Sequence, residues 1–151
     1  MINFRAVTPA DLKSICRHRH LMFEESGKSA DVLAEAAQPF ETWLNARLES
    51  GAYFGFIAED EGAPVAGIGL MALDWPPHPL HPQDGRRGYI LNLYVEKSHR
   101  GRGLAKSLMD KADAEFKARG IQYAILHPTE MAKPIYEKLG WQTSGEMVKL
   151  Y

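Results

Sequence analysis

Chemistry-bearing spacing in this chain concentrates in one run, Arg100-Gly101-Arg102-Gly103-Leu104-Ala105, directly after the apolar stretch 90–95. Two glycines let the backbone turn tightly and approach a ligand closely. Leu104, Leu108, Ala112 and Phe116 then recur every four residues, which predicts one apolar face of a helix. A helix start offers unpaired N–H groups and the positive end of the helix dipole, and both suit a phosphate. Arg100 and Arg102 add local positive charge to a chain whose net charge is −1. Alone, the turn is equally compatible with a ligand-free strand–helix connection. Two phosphate-binding motifs do not fit. A nucleoside-triphosphate loop requires Gly-Lys-Ser/Thr, whereas Gly103 precedes Leu-Ala-Lys. A dinucleotide fold requires a third glycine where Lys106 stands, and an acid at the end of the next strand, where His127 stands.

A second block lies downstream: Ala132-Lys-Pro-Ile-Tyr-Glu-Lys-Leu-Gly-Trp141. By spacing, Tyr136 reads most simply as a core side chain beside Ile135 and Leu139. Together, however, the blocks resemble the GCN5-related N-acetyltransferase (GNAT) family. Its acetyl-CoA loop reads Arg/Gln-x-x-Gly-x-Gly/Ala, and its later segment reads Ala-x-x-x-Tyr-Glu-Lys-x-Gly-Phe. The resemblance covers nearly the whole chain and is most specific over residues 91–141. It implies a GNAT-like α/β fold: a mixed, mostly antiparallel sheet of six to seven strands, flanked by about four helices, with a central parallel pair that splays apart. It also implies that residues Arg100–Ala105 hold the cofactor pyrophosphate, that Leu93, Tyr94 and Val95 align the pantetheine through main-chain groups, and that a backbone N–H near Leu93 or Tyr94 polarises the thioester carbonyl. Tyr136 would be the general acid. The family's asparagine seven residues before that tyrosine is Thr129 here, a substitute of smaller hydrogen-bonding capacity in the cofactor region.

Acetyl transfer to an amine needs a neutral nucleophile, yet an amine of pKa ~10.4 is neutral in only about one molecule in a few thousand at pH 7. Glu24 and Glu25, in a loop expected near the acceptor cleft, are the candidates on the acceptor side, together with Asn92 on the central strand and Trp75 in the proline loop. A small amine, an amino-acid-like metabolite and a peptide amine all remain open as acceptor. The alternative reading is a non-catalytic acyl-CoA-binding or sensing domain of the same fold. His18 and His20 do not share a helix face, and His78 and His81 lack cysteine or carboxylate support, so no metal is expected. Cys16 lies on an apolar stripe and reads as a core thiol.

The elements that position these residues follow from hydrophobic periodicity. A strand is expected at 2–7, then a helix capped by Thr8 with Pro9 in its first turn and a stripe through Leu12, Ile15, Cys16, Arg19, Met22 and Phe23. A second helical stretch over 30–50 should be divided by Pro39 and end at Gly51. Strands at 52–59 and 64–74 form a hairpin about Asp60-Glu61-Gly62. Residues 75–87 contain four prolines and no period, and read as a structureless loop. In the strand that follows, Leu91, Leu93 and Val95 should share one face, with Ile90 and Tyr94 on the other. After the helix, closed by Gly120, come a parallel strand at 122–127, a short helix to Leu139, and a tail of one or two strands over 142–151. The 151 residues suit one domain, 1–151, and 45% hydrophobic with 25% charged residues is ordinary for a globular protein. Near-neutral charge disfavours nucleic acid or an anionic membrane as partner. A single cysteine and no apolar leader suggest a cytoplasmic setting. An open sheet edge suggests a homodimer.

Overall fold

The computed structural model describes residues 1–151. Its strands are β1 (Ile2–Ala6), β2 (Phe54–Asp60), β3 (Ala63–Asp74), β4 (Arg86–Val95) and β5 (Ala124–Leu126); its helices are α1 (Leu12–Glu25), α2 (Ala30–Ser50), α3 (Leu104–Ala118) and α4 (Lys133–Lys138). The five strands lie in the order β1-β2-β3-β4-β5. The first four form an antiparallel meander, and α3 carries the chain across to β5, which runs parallel to β4. The sheet thus has five strands rather than six or seven. Residues 142–151, expected as strand, make no backbone hydrogen bond and join no ladder.

Each face of the sheet has its own core. On one, α3 buries Leu104, Leu108, Met109, Ala112 and Phe116 against Ala58, Ala66, Ile68, Leu70 and Ile90. On the other, Ile15 of α1 and Leu44 and Leu48 of α2 pack with Tyr53 and Ile57. Ile57 and Ala58 therefore point to opposite faces, as strand geometry requires. Gly69 makes room for the buried Tyr53, since a Cβ there would lie 2.1 Å from the phenol oxygen. At the start of α1, Asp11 is buried and accepts hydrogen bonds from Arg5 at 2.8 Å and from the Thr8 N–H at 2.8 Å, tying the helix entry to the sheet.

Three further expectations are corrected. Pro39 does not divide the second helix; α2 is continuous from Ala30 to Ser50. The carbonyl of Glu35, which loses its N–H partner to Pro39, sits in an exposed turn of α2, open to hydrogen bonding by solvent. The proline loop is ordered: His81 is fully buried, Arg87 lies between the rings of Trp75 (4.3 Å) and Tyr123 (4.2 Å), and the His81 ring meets the Asp84 carbonyl at 2.7 Å. The face assignment in β4 also fails. Leu91 packs toward α1 and α2, whereas Leu93 and Val95 join Ile90 on the α3 side. The cause is a bulge: the β3–β4 register shifts opposite Asn92, whose φ is +56°.

Candidate active site

The bulge at Asn92 organises the site. Before it, Gly88, Tyr89 and Ile90 pair with β5; beyond Ile90, β4 has no strand on that side. The Glu96 N–H donates to the Val65 carbonyl of β3, so by alternation Tyr94 also faces β3, while the main-chain groups of Leu93 and Val95 face the open side. Arg100 Nε donates to the Val95 carbonyl at 2.9 Å, leaving the Val95 N–H and both main-chain groups of Leu93 exposed along a free edge. The N–H of Tyr94 is directed into the sheet. Its buried ring points the other way, with Oη donating to Glu25 at 2.7 Å, and burial together with that carboxylate pushes the phenol pKa up to about 12.

The open edge leads to the glycine turn. Gly101 and Gly103 have φ of +77° and +76°, a region that glycine enters without penalty. The successive backbone N–H groups from Gly101 to Lys106 have no acceptor within the chain, and no side chain caps α3. Such a concave run of donors at a helix start binds anions. Arg100 is held by Glu25 at 2.7 Å, and Arg102 lies 3.9 Å from Asp60, so the positive charge of this turn is partly offset.

Across the sheet from α3, a cavity of about 600 Å³ lies between α1, α2 and β4, with Arg19, Phe23, Leu33, Phe40, Trp43 and Tyr89 in its walls. Its size is within the roughly 300–1,000 Å³ of small-molecule sites. Asn92, buried, accepts from Arg19 Nη1 at 2.7 Å and donates to Tyr53 Oη at 3.1 Å. Its amide positions Arg19 rather than projecting freely into the cavity. Tyr89 Oη lies 3.0 Å from His127 Nδ1, and His127 Nε2 lies 2.8 Å from Glu146. This carboxylate–imidazole–phenol chain runs from solvent to the cavity wall and can accept a proton there.

The other candidates are placed as follows. Glu24 is exposed and paired with His20 at 3.2 Å. For Glu25, burial alone would raise the pKa, but hydrogen bonds from Tyr94 and Arg100 outweigh it and hold the carboxylate below its ordinary range. Both oxygens are engaged, so Glu25 braces the end of α1 against β4 and the glycine turn. Trp75 covers Arg87 and is not among the residues lining the cavity. Thr129 uses its hydroxyl to accept from the Ala132 N–H at 3.2 Å, at the entry to α4. Tyr136 packs against the α3-side core and edge-on to Trp141, and its hydroxyl makes no hydrogen bond within the chain.

The model of the acetyltransferase (GNAT) family matches residues 13–141. The chain belongs to the GNAT family. It is 51% identical to a GCN5-related N-acetyltransferase from Ralstonia eutropha JMP134, whose crystal structure superposes with a TM-score of 0.98 over 100% of this chain and 99% of that one. A predicted acetyltransferase from Clostridium acetobutylicum, crystallised with acetyl-CoA, is 26% identical with a TM-score of 0.90, over 100% of this chain and 96% of the other. The uncharacterized N-acetyltransferase YdgE of Bacillus subtilis is 30% identical over 74% of this chain and 69% of its own length.

As a GNAT acyltransferase, the chain has features its sequence motifs do not mark. Tyr89, His127 and Glu146 are separated by 38 and 19 residues and form no local pattern. Arg19 offered a usable signal, since it is a cation on an otherwise mostly apolar helical stripe. No group of three or more His, Cys, Asp or Glu side chains is arranged to hold a metal ion. No helix is long and apolar enough to cross a membrane.

Proposed function

We propose that residues 1–151 form one catalytic domain that transfers an acetyl group from acetyl-CoA directly to a primary amine. The observation that carries this reading is continuity: a strand edge freed at the Asn92 bulge leads into a turn whose N–H groups from Gly101 to Lys106 are unpaired. Amide groups of a pantetheine chain match the free main-chain groups of Leu93 and Val95, and a pyrophosphate matches the donors of the turn. Bound acetyl-CoA supplies an acetyl thioester, whose C–S bond breaks as the C–N bond to the amine forms. The Leu93 N–H polarises the carbonyl. Tyr136 Oη gives its proton to the departing sulfur. The amine's proton passes to Tyr89 Oη as Tyr89 gives its own to His127 Nδ1, and Glu146 stabilises the imidazolium. Tyr89 ends the step protonated, and exchange with solvent then removes the extra proton from His127 and returns one to Tyr136. A cytoplasmic setting belongs to the same reading.

At 100 times its dissociation constant, acetyl-CoA should stabilise the chain by about 2.7 kcal/mol, raising Tm by roughly 5–10 °C. A panel of primary amines should then release free CoA above the hydrolysis rate. No thermal shift and no CoA release would overturn the reading.

We also infer that the protein is a homodimer in which the exposed end of the tail, residues 147–151, pairs with the outer edge of β5 in a second copy. The sheet ends at β5, and the tail has no backbone hydrogen bond of its own. Met147, Val148, Leu150 and Tyr151 are 77–107% exposed, an apolar segment that a stable native state would cover. Light scattering should give a dimeric mass for the full chain and a monomeric mass for a chain ending at Glu146. A monomeric full chain at assay concentration would end the inference.

A further inference from the structure

We propose that the acceptor is an amine bearing a carboxylate on an apolar or aromatic body, with Arg19 as the group that binds the carboxylate. The proposal rests on the reading of the α1–α2–β4 cavity as the acceptor side of an acetyltransferase.

Arg19 reaches into this cavity from the inner face of α1. Its guanidinium stacks 4.3 Å from the centre of the Phe40 ring and 4.8 Å from that of Phe23. One nitrogen donates to Asn92 at 2.7 Å. A guanidinium has five N–H donors, and this is the one hydrogen bond that Arg19 makes within the chain. Arg5, Arg17, Arg86, Arg100, Arg102 and Arg119 each have a carboxylate within 4 Å; Arg19, Arg47 and Arg87 have none, and of these three only Arg19 lines the cavity. Burial works against its charge and pulls its pKa down, with no anion to offset the effect.

The other ionisable groups of the cavity do not neutralise it. Glu41 is committed to Lys13 at 2.6 Å, and His20 to Glu24 at 3.2 Å. The Cys16 thiol is pushed up by burial and stays neutral near pH 7. Tyr89 is likewise raised, by burial. The cavity is therefore aromatic and aliphatic, with one oriented cation whose remaining donors lack a partner. A planar carboxylate satisfies two of those donors at once. A phosphate dianion would leave most of its hydration for walls that offer it a single cation. Polyamines and other multiply cationic acceptors would meet Arg19 as a like charge.

The test compares matched amines with and without the acid: phenylalanine against phenethylamine, para-(aminomethyl)benzoate against benzylamine, with spermidine as a polycation. Charge-assisted hydrogen bonds of about 1.5–3 kcal/mol predict that kcat/KM favours the acid of at least one pair by about 10–150-fold. In Arg19→Gln that ratio should fall toward one, and Arg19→Lys should restore part of it. A readout independent of turnover is the thermal shift produced by the same acids in the presence of CoA, present in the wild type and absent in Arg19→Gln. Amines without the carboxylate, or spermidine, acetylated as fast as the acids, or no shift from any acid, would overturn the proposal while leaving acetyltransfer intact. Failure of acetyl-CoA itself to stabilise the protein would instead remove the reading on which the proposal rests.

Discussion

Tyr136→Phe is expected to lower kcat by about 10²–10⁴-fold while leaving the affinity for acetyl-CoA unchanged. The ring lies against Trp141 at 6.4 Å between centroids and against the core beneath α3, and phenylalanine keeps those contacts. The hydroxyl has no partner within the chain, so its removal breaks no internal hydrogen bond and should leave Tm nearly unmoved. What is lost is a proton donor for a thiolate whose conjugate thiol has a pKa of about 8–9. Burial raises the Tyr136 pKa above its ordinary value near 10. The sign is favourable for an acid: the phenol remains protonated throughout the neutral and mildly alkaline range. The wild-type kcat should therefore show no alkaline fall below about pH 10. On the other side of the reaction, His127→Gln serves as contrast. It should lower kcat/KM for the amine, because Tyr89 loses the acceptor of its proton, and leave the affinity for acetyl-CoA unchanged. Unchanged turnover of Tyr136→Phe at saturating substrate would remove this residue from the mechanism.

The contrast between these residues also shows what a sequence can reveal. The glycine turn and the Tyr136 block are local: a helix start, two positive-φ glycines and a short helix are set by neighbours in the chain, so their spacing is readable. The Asn92 bulge is not. Asparagine tolerates positive φ better than most residues, but whether it adopts it depends on β3 and on hydrogen bonds to Tyr53 and Arg19, far away in sequence. The consequence is large, because the bulge moves Leu93 to the α3 face and turns its main-chain groups to the open edge. Pro39 illustrates the reverse error. Its local penalty predicts a break, yet tertiary packing of Leu44 and Leu48 keeps α2 whole around it. By sequence Glu25 reads as a loop charge near the acceptor; its hydrogen bonds to Tyr94 and Arg100 give it a bracing role that depends on contacts 69 and 75 residues away. The tail has strand-like residues but no strand partner in its own chain, and no intrachain rule could foresee that.

Gly103→Val is expected to weaken CoA binding by about 10²–10⁴-fold without unfolding the protein. At φ +76°, a residue with a Cβ is strained by roughly 1–2 kcal/mol, and a β-branched one resists that region most strongly. The strain is purely conformational, since an added Cβ would meet nothing within 4 Å. The turn relieves it by leaving the left-handed region, which swings the N–H groups after Gly103 out of their common direction. Loss of two hydrogen bonds to a charged group, at about 1.5–3 kcal/mol each, gives the stated range. The core is insulated from the change, because α3 is anchored by buried Leu104, Leu108, Met109, Ala112 and Phe116. Tm should fall by only several degrees. Titration calorimetry separates the effects: CoA loses affinity, whereas pantetheine, which lacks the pyrophosphate, binds as in the wild type. Gly51→Val carries comparable strain at φ +78°, also with nothing within 4 Å, but at the end of α2. It should cost similar stability and leave CoA affinity intact. Equal loss of CoA binding in both variants would mean that general destabilisation, rather than the direction of the donors at Gly103, controls the site.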